Sequence, residues 1–171
     1  MDEGVLILRI IFGVLVIGHA TQKLFGWFRG LGVVNHAPLF EASGLRPGKV
    51  FVVMAALTEL AGAALLLTGF LFPLGATMIL ATMIVAIASL WPKGVWGHLG
   101  GYEVALTYSV VMVALLFTGP GAYSLDHVLG LHQVYQFGWL APLGVVVAAI
   151  GSAPLVAIIS RHRRLRPPVA P

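Results

Sequence analysis

The sequence contains no cysteine, which removes disulfides, thiol relays, iron–sulfur ligation and covalent haem attachment together. Charge is almost as scarce. Ten Lys and Arg with six Asp and Glu make up 9% of 171 residues, whereas a water-facing globule carries about 25%. So few charges exclude a soluble enzyme of ordinary composition and a disordered chain. A nucleic-acid binder is excluded too. The pI is near 9.9, yet the basic residues form no dispersed face, and Arg161, Arg163, Arg164 and Arg166 crowd into the C-terminal tail. Also missing are an H-E-x-x-H pair, a Walker loop and a dinucleotide glycine fingerprint following a strand. What is present is apolar: 59% of the residues are hydrophobic and the mean hydropathy is +0.98. This is the composition of an all-α integral membrane protein, because lipid offers no partner to a free N–H or C=O.

About 20 mostly apolar residues are needed to cross about 30 Å of hydrocarbon. Five stretches approach this, at residues 5–25, 49–70, 73–91, 102–118 and 139–160. The second and third are joined by a tight hairpin around LFPLG. Met1-Asp2-Glu3 lacks the basic n-region of a signal peptide, so the first run is expected to be retained. Lys23, Arg29, Arg46, Lys49, Lys93 and the four tail arginines all flank the loops of one side, and Arg9 alone stands near the other. The positive-inside rule then predicts an outer N-terminus and a cytoplasmic C-terminus, in a bacterial inner (plasma) membrane.

Residues 27–48 carry Trp27, Phe28, Leu39 and Phe40 and suit a headgroup-level segment with a short helix at Ala37–Ser43. In the outer loop Ser124 can cap one amphipathic helix in which Leu125, Val128, Leu129, His132 and Tyr135 recur, ending at the belt residue Trp139. The tail RHRRLRPPVAP reads as a polybasic anchor on anionic lipid.

Charged residues at bilayer depth ask for a reason, since each costs roughly 2.5–3.5 kcal/mol on insertion scales. Glu59 falls near the midplane of the second span. Either it is a neutral acid tying helices together, or it serves proton transfer or binds a polar headgroup. Ala55, Gly62 and Gly69 make a small-residue stripe around it. His19, Gln22, Lys23 and Gly26 share one face of the first span at i, i+3, i+4 and i+7, and His19 is the expected partner of Glu59. Lys23 alone could simply snorkel to the headgroups, as could Arg9, which otherwise reaches down toward Glu59. His98 and Tyr102 stand at the same end as His19 and could line a common pocket. Glu103 sits in the first turn of its helix, favoured by the macrodipole. Only His19 lies well inside a span, which leaves no facing pair for a haem, and no metal site is expected.

The segments GHATQKLFG at 18–26, TELAGAALLLTG at 58–69, HLGGYE at 98–103 and GPGAYSLDH at 119–127 together resemble the DoxX family of small bacterial membrane proteins. The resemblance covers roughly residues 5–130 and implies a four-helix transmembrane bundle, to which this chain adds a fifth C-terminal span. It divides the chain into a four-span core with the outer interfacial helix (1–138), the additional helix (139–160) and the basic Pro-rich tail (161–171). It further implies a membrane subunit of a quinone-linked oxidoreductase system, with the redox cofactor on a partner protein. Glu59 and His19 would be the catalytic, proton-handling pair, and Gln22, Lys23, His98, Tyr102 and Glu103 the quinone-binding set. No covalently bound cofactor is expected; the ligands are quinone and membrane lipid. Two other classes compete. One is a small transporter using Glu59 as its ion or proton site, for which oligomerisation would have to complete a pathway. The other is an anchor or assembly factor that docks through Gly144, Ala148 and Ser152 on the fifth span.

Overall fold

The structure, a computed structural model, describes residues 2–135 and 138–165. It consists of α1 (Asp2–Phe25), α2 (Gly32–Ala42), α3 (Gly48–Thr68), α4 (Phe72–Leu90), α5 (Glu103–Thr118), the single turns α6 (Leu125–Val128) and α7 (His132–Tyr135), and α8 (Leu140–Leu165). No strand occurs among the described residues. The chain is an all-α membrane bundle. Helices α1, α3, α4 and α8 are long and apolar enough to cross a membrane. The 16 residues of α5 span only about 24 Å at 1.5 Å per residue, but they pack in the same bundle.

The long helices alternate in direction. Arg9 near the start of α1 meets the last turn of α3 and the segment just after α5, and the first turns of α4 and α8 gather at that same end. At the other end Arg163 of α8 donates to the carbonyl of Ala88 in the last turn of α4. The basic residues flanking the helices therefore collect at the end opposite Arg9. Helix α4 is central, with α3, α5 and α8 against it, and α1 lies on α3. The core joins Val16, Ala63, Leu66, Phe72, Ile79, Met112 and Leu115. Helices α3 and α4 touch where glycines face each other. A Cβ on Gly62 would lie 2.9 Å from Ile79 Cγ1, and one on Gly75 would lie 2.7 Å from Leu65 Cβ. Small residues let two backbones approach closely in lipid, where packing rather than water exclusion drives association.

The α3–α4 hairpin is held by two opposite charges. A helix ends with unpaired carbonyls and begins with unpaired N–H groups. Arg9 is 1% exposed. Its Nε and Nη2 donate to the carbonyls of Leu66 and Leu67, each at 2.9 Å, and its Nη1 donates to those of Pro120 and Tyr123, each at 2.8 Å. Asp126, fully buried, accepts the N–H groups of Leu71 and Phe72 at 2.9 Å each. A cation thus caps the C-terminal end of α3 and an anion the start of α4, as the helix dipoles favour. The turn between them passes through Gly69 at φ 62 and Leu71 at φ 42, backbone that these contacts hold in the left-handed region.

Several expectations need correction. Arg9 does not snorkel, because the open carbonyls beside it lie inside the protein. The outer amphipathic helix is two separate turns, broken at Gly130 with φ 73, although Ser124 Oγ does accept the N–H of His127 at 3.1 Å. The helix expected at Ala37–Ser43 is longer and starts at Gly32. Helix α8 runs on to Leu165, so the first tail residues belong to it and Arg163 is spent on α4 rather than on lipid. The remainder of the tail lies outside the described residues. The stripe Gly144, Ala148 and Ser152 is buried, with Gly144 against Thr77 of α4 and Leu116 of α5 and Ser152 lining the cavity between helices, so it is no docking surface.

Arg9→Ala should lower the unfolding free energy by about 3–5 kcal/mol, the cost of breaking a buried charge arrangement, and Asp126→Asn by less. The double variant should fall short of the sum, because both hold one hairpin. Thermal unfolding in detergent reads this directly; an Arg9→Ala protein as stable as the parent would deny the hairpin its anchor.

Candidate functional site

Helices α2, α3, α4 and α8, with Lys23 of α1, enclose a cavity of about 370 Å³ at the basic end of the bundle. Each contributes one face. On α2 and its C-cap the face is His36, Leu39, Phe40 and Ser43; on α3 it is Phe51, Met54, Ala55, Thr58 and Glu59. On α4 it is Thr82, Val85, Ala86 and Ser89, and α8 closes the side with Gly151, Ser152 and Leu155. The residues contributed by α2 with its C-cap, by α3 and by α4 follow helical i, i+3, i+4, i+7 series. Leu39 and Met54, both more than half exposed, form the rim. Helix α2 is fixed over the opening by Glu41, whose Oε1 accepts the N–H of Gly48 at 2.9 Å and so caps α3.

The floor carries the charge. Lys23 Nζ of α1 forms an ion pair with Glu59 Oε1 of α3. The Glu59 side chain is 2% exposed and that of Lys23 20%. Glu59 Oε2, buried, has no hydrogen-bond partner, and neither does His36 Nδ1 on α2. His36 stands within electrostatic reach of both charges. Burial first, and the Lys23 ammonium second, push its imidazole below the ordinary value near 6.5, while the Gly32 carbonyl and the Glu59 carboxylate pull the other way. The arrangement holds a proton donor, a carboxylate with one uncommitted oxygen and a neutral imidazole in one apolar recess. No cluster of three or more metal-ligating side chains occurs among the described residues.

The sequence candidates divide. Glu59 and Lys23 line the cavity, and Lys23 rather than His19 is the partner of Glu59. A lysine stem is long enough to carry its ammonium from near the helix end down to the carboxylate. His19 Nδ1 instead pairs with Gln22 Oε1 at 3.1 Å, and its ring meets Tyr108 of α5 edge-on at 5.7 Å. Gln22 lies beside the 26–30 loop, which packs back on α1. The structure does not bring His98, Tyr102 and Glu103 to the cavity. Tyr102 stacks on Trp91 with centroids 5.3 Å apart, Glu103 Oε2 accepts the N–H of Gly97 at 2.7 Å, and His98 is exposed. His36 went unrecognised in the sequence. Its signal was the spacing of His36, Leu39, Phe40 and Ser43, hidden because the segment reads as a broken loop.

The sequence model of the DoxX family matches residues 4–92, more than half of the 171, and the chain belongs to that family. The match contains the whole Lys23–His36–Glu59 constellation and ends before HLGGYE and GPGAYSLDH. No curated protein and no solved structure matches the chain.

Removing one member of a buried pair strands the other. Lys23→Met should therefore cost about 3–5 kcal/mol, and Lys23→Met/Glu59→Gln should recover most of it. Lys23→Met unfolding like the parent would mean the pair holds nothing. His36 adds a pH dependence. A folded state that prefers neutral imidazole keeps its full stability above about pH 6.5 and loses it as pH falls further, when the unfolded chain binds the proton more readily. His36→Gln should flatten that part of the melting-temperature profile; identical profiles would place His36 in an unperturbed setting.

Proposed function

We propose that this small membrane protein binds a quinone-type ring in the α2–α3–α4–α8 cavity, as a subunit of an oxidoreductase system whose redox cofactor sits on a partner protein. The observation that carries it is Glu59, a buried carboxylate whose second oxygen is unpartnered, in the lining of a mainly apolar recess. Structural charges are saturated by protein groups; a spare buried oxygen is what a ligand uses. The volume supports the same assignment. Small-molecule sites run from about 300 to 1,000 Å³, so 370 Å³ suits a substituted ring, with an apolar tail leaving past Leu39 and Met54 into the bilayer. Interconversion of quinone and quinol moves two electrons and two protons. The electrons belong to the partner's cofactor. The chain's own work is to hold the ring dry and to exchange protons at its oxygens through Glu59, Lys23 and His36, groups within hydrogen-bonding chemistry of such a task. The basic helix ends would face the cytoplasm of a bacterial inner membrane, which puts α2 and the cavity mouth at the inner leaflet.

Adding a short-chain quinone should raise thermal stability, by about 2.7 kcal/mol at a hundredfold excess over Kd, and Ala86→Phe, which fills the cavity, should abolish the rise. A rise that survives in the filled variant would move the ligand elsewhere. Reporter fusions should place residues 27–48 in the cytoplasm and 119–138 outside; the reverse signals would put the mouth at the outer leaflet.

A further inference from the structure

The cavity's hydrogen-bonding groups are unevenly spent. Every hydroxyl that lines it donates to a carbonyl of its own helix or segment. Ser43 donates to Leu39 at 3.3 Å, Thr58 to Met54 at 2.8 Å, Thr82 to Ile79 at 2.8 Å, Ser89 to Val85 at 3.0 Å and Ser152 to Ala149 at 3.1 Å. Their protons are committed and their remaining lone pairs only accept. Glu59 Oε2 is another acceptor without a partner, and an ionised carboxylate has no proton to offer. Lys23 and His36 aside, the side chains lining the recess offer acceptors and no unspent donor.

We infer that the cavity selects the hydroxyl-bearing, reduced form of its ring ligand over the form that carries only carbonyls. The inference rests on the ring-binding assignment made above and adds to it which form is held. A carbonyl oxygen set against Glu59 Oε2 leaves two acceptors facing each other, both cut off from water. A ring hydroxyl donates to Oε2, and its own lone pairs accept from Lys23 Nζ, which has spent one of its three donors on Oε1. His36, whose Nδ1 is also unpartnered, lines the same recess from α2 and can serve the ring's second oxygen. A hydroxyl therefore completes both members of the ion pair, whereas a carbonyl completes only the lysine.

The probes are an alkylated hydroquinone, its dimethyl ether and a long-chain alcohol, titrated under reducing conditions into the detergent-solubilised full chain with thermal shift and calorimetry as readouts. The hydroquinone should bind about 10- to 100-fold more tightly than its ether, the range of one hydrogen bond to a charged acceptor. In Glu59→Gln, near-isosteric and able to turn an N–H toward the ligand, that ratio should shrink toward one. Equal binding of hydroquinone and ether in the parent protein overturns the selection while leaving the ring site intact. An alcohol that binds as well as the hydroquinone overturns it in favour of a lipid hydroxyl. If none of the three binds and Ala86→Phe changes nothing, the ring site itself falls and the selection with it.

Discussion

A charge inside hydrocarbon has no water to turn to, so it must bring its partners along or stay neutral. That constraint governs this bundle more than any single packing contact. The sequence has only sixteen acidic and basic residues; in the long helices Arg9 and Glu59 stand within apolar runs, and Lys23, in the last turn of α1, reaches back to Glu59. Each finds its partners on another helix or the segment after it. Arg9 draws the end of α3 to the segment after α5, while Lys23 ties α1 to the middle of α3. The alternating arrangement of the helices is the one that lets these contacts form at opposite ends.

The two ends meet the constraint differently. At the Arg9 end the charges are complete. Four carbonyls surround the guanidinium and two N–H groups meet the Asp126 carboxylate, and what results is a rigid hairpin. At the Glu59 end the pair is made, but one buried carboxylate oxygen is left over in a side chain that lines a recess. Saturation marks a group that holds structure, and an unspent buried atom marks one that meets something else. The same physics thus distinguishes the saturated Arg9 anchor from the recess on which the proposed role of Glu59 rests.

Much of this was legible in the chain. Span positions follow from hydropathy, the α3–α4 hairpin from LFPLG, and the importance of Glu59 from its depth. Its partner was misjudged because axial depth alone favours His19, whereas a lysine's reach depends on four methylenes that no spacing rule records. Arg9 was mistaken for a snorkelling residue because its partners are backbone carbonyls, which carry no sequence signature at all. Asp126 was hidden for the same reason: it caps a helix 54 residues earlier in the chain. His36 lies one residue before the helix expected at Ala37–Ser43, whereas α2 begins at Gly32 and tolerates Pro38 in its interior. Residues 98–103 share an end of the bundle with the cavity but fold into their own turn, since being at one membrane depth does not put residues on one wall.

The central claim is that Glu59 is an ionised acceptor held by Lys23 at the floor of the cavity. Infrared difference spectra of the protein in membranes, parent against Glu59→Gln, test it most directly. A carboxylate band lost in the variant, and converted to the carbonyl band of a protonated acid in Lys23→Met, is the predicted result. A protonated-acid band already present in the parent and removed by Glu59→Gln would contradict it, and would make Glu59 a neutral tie between helices.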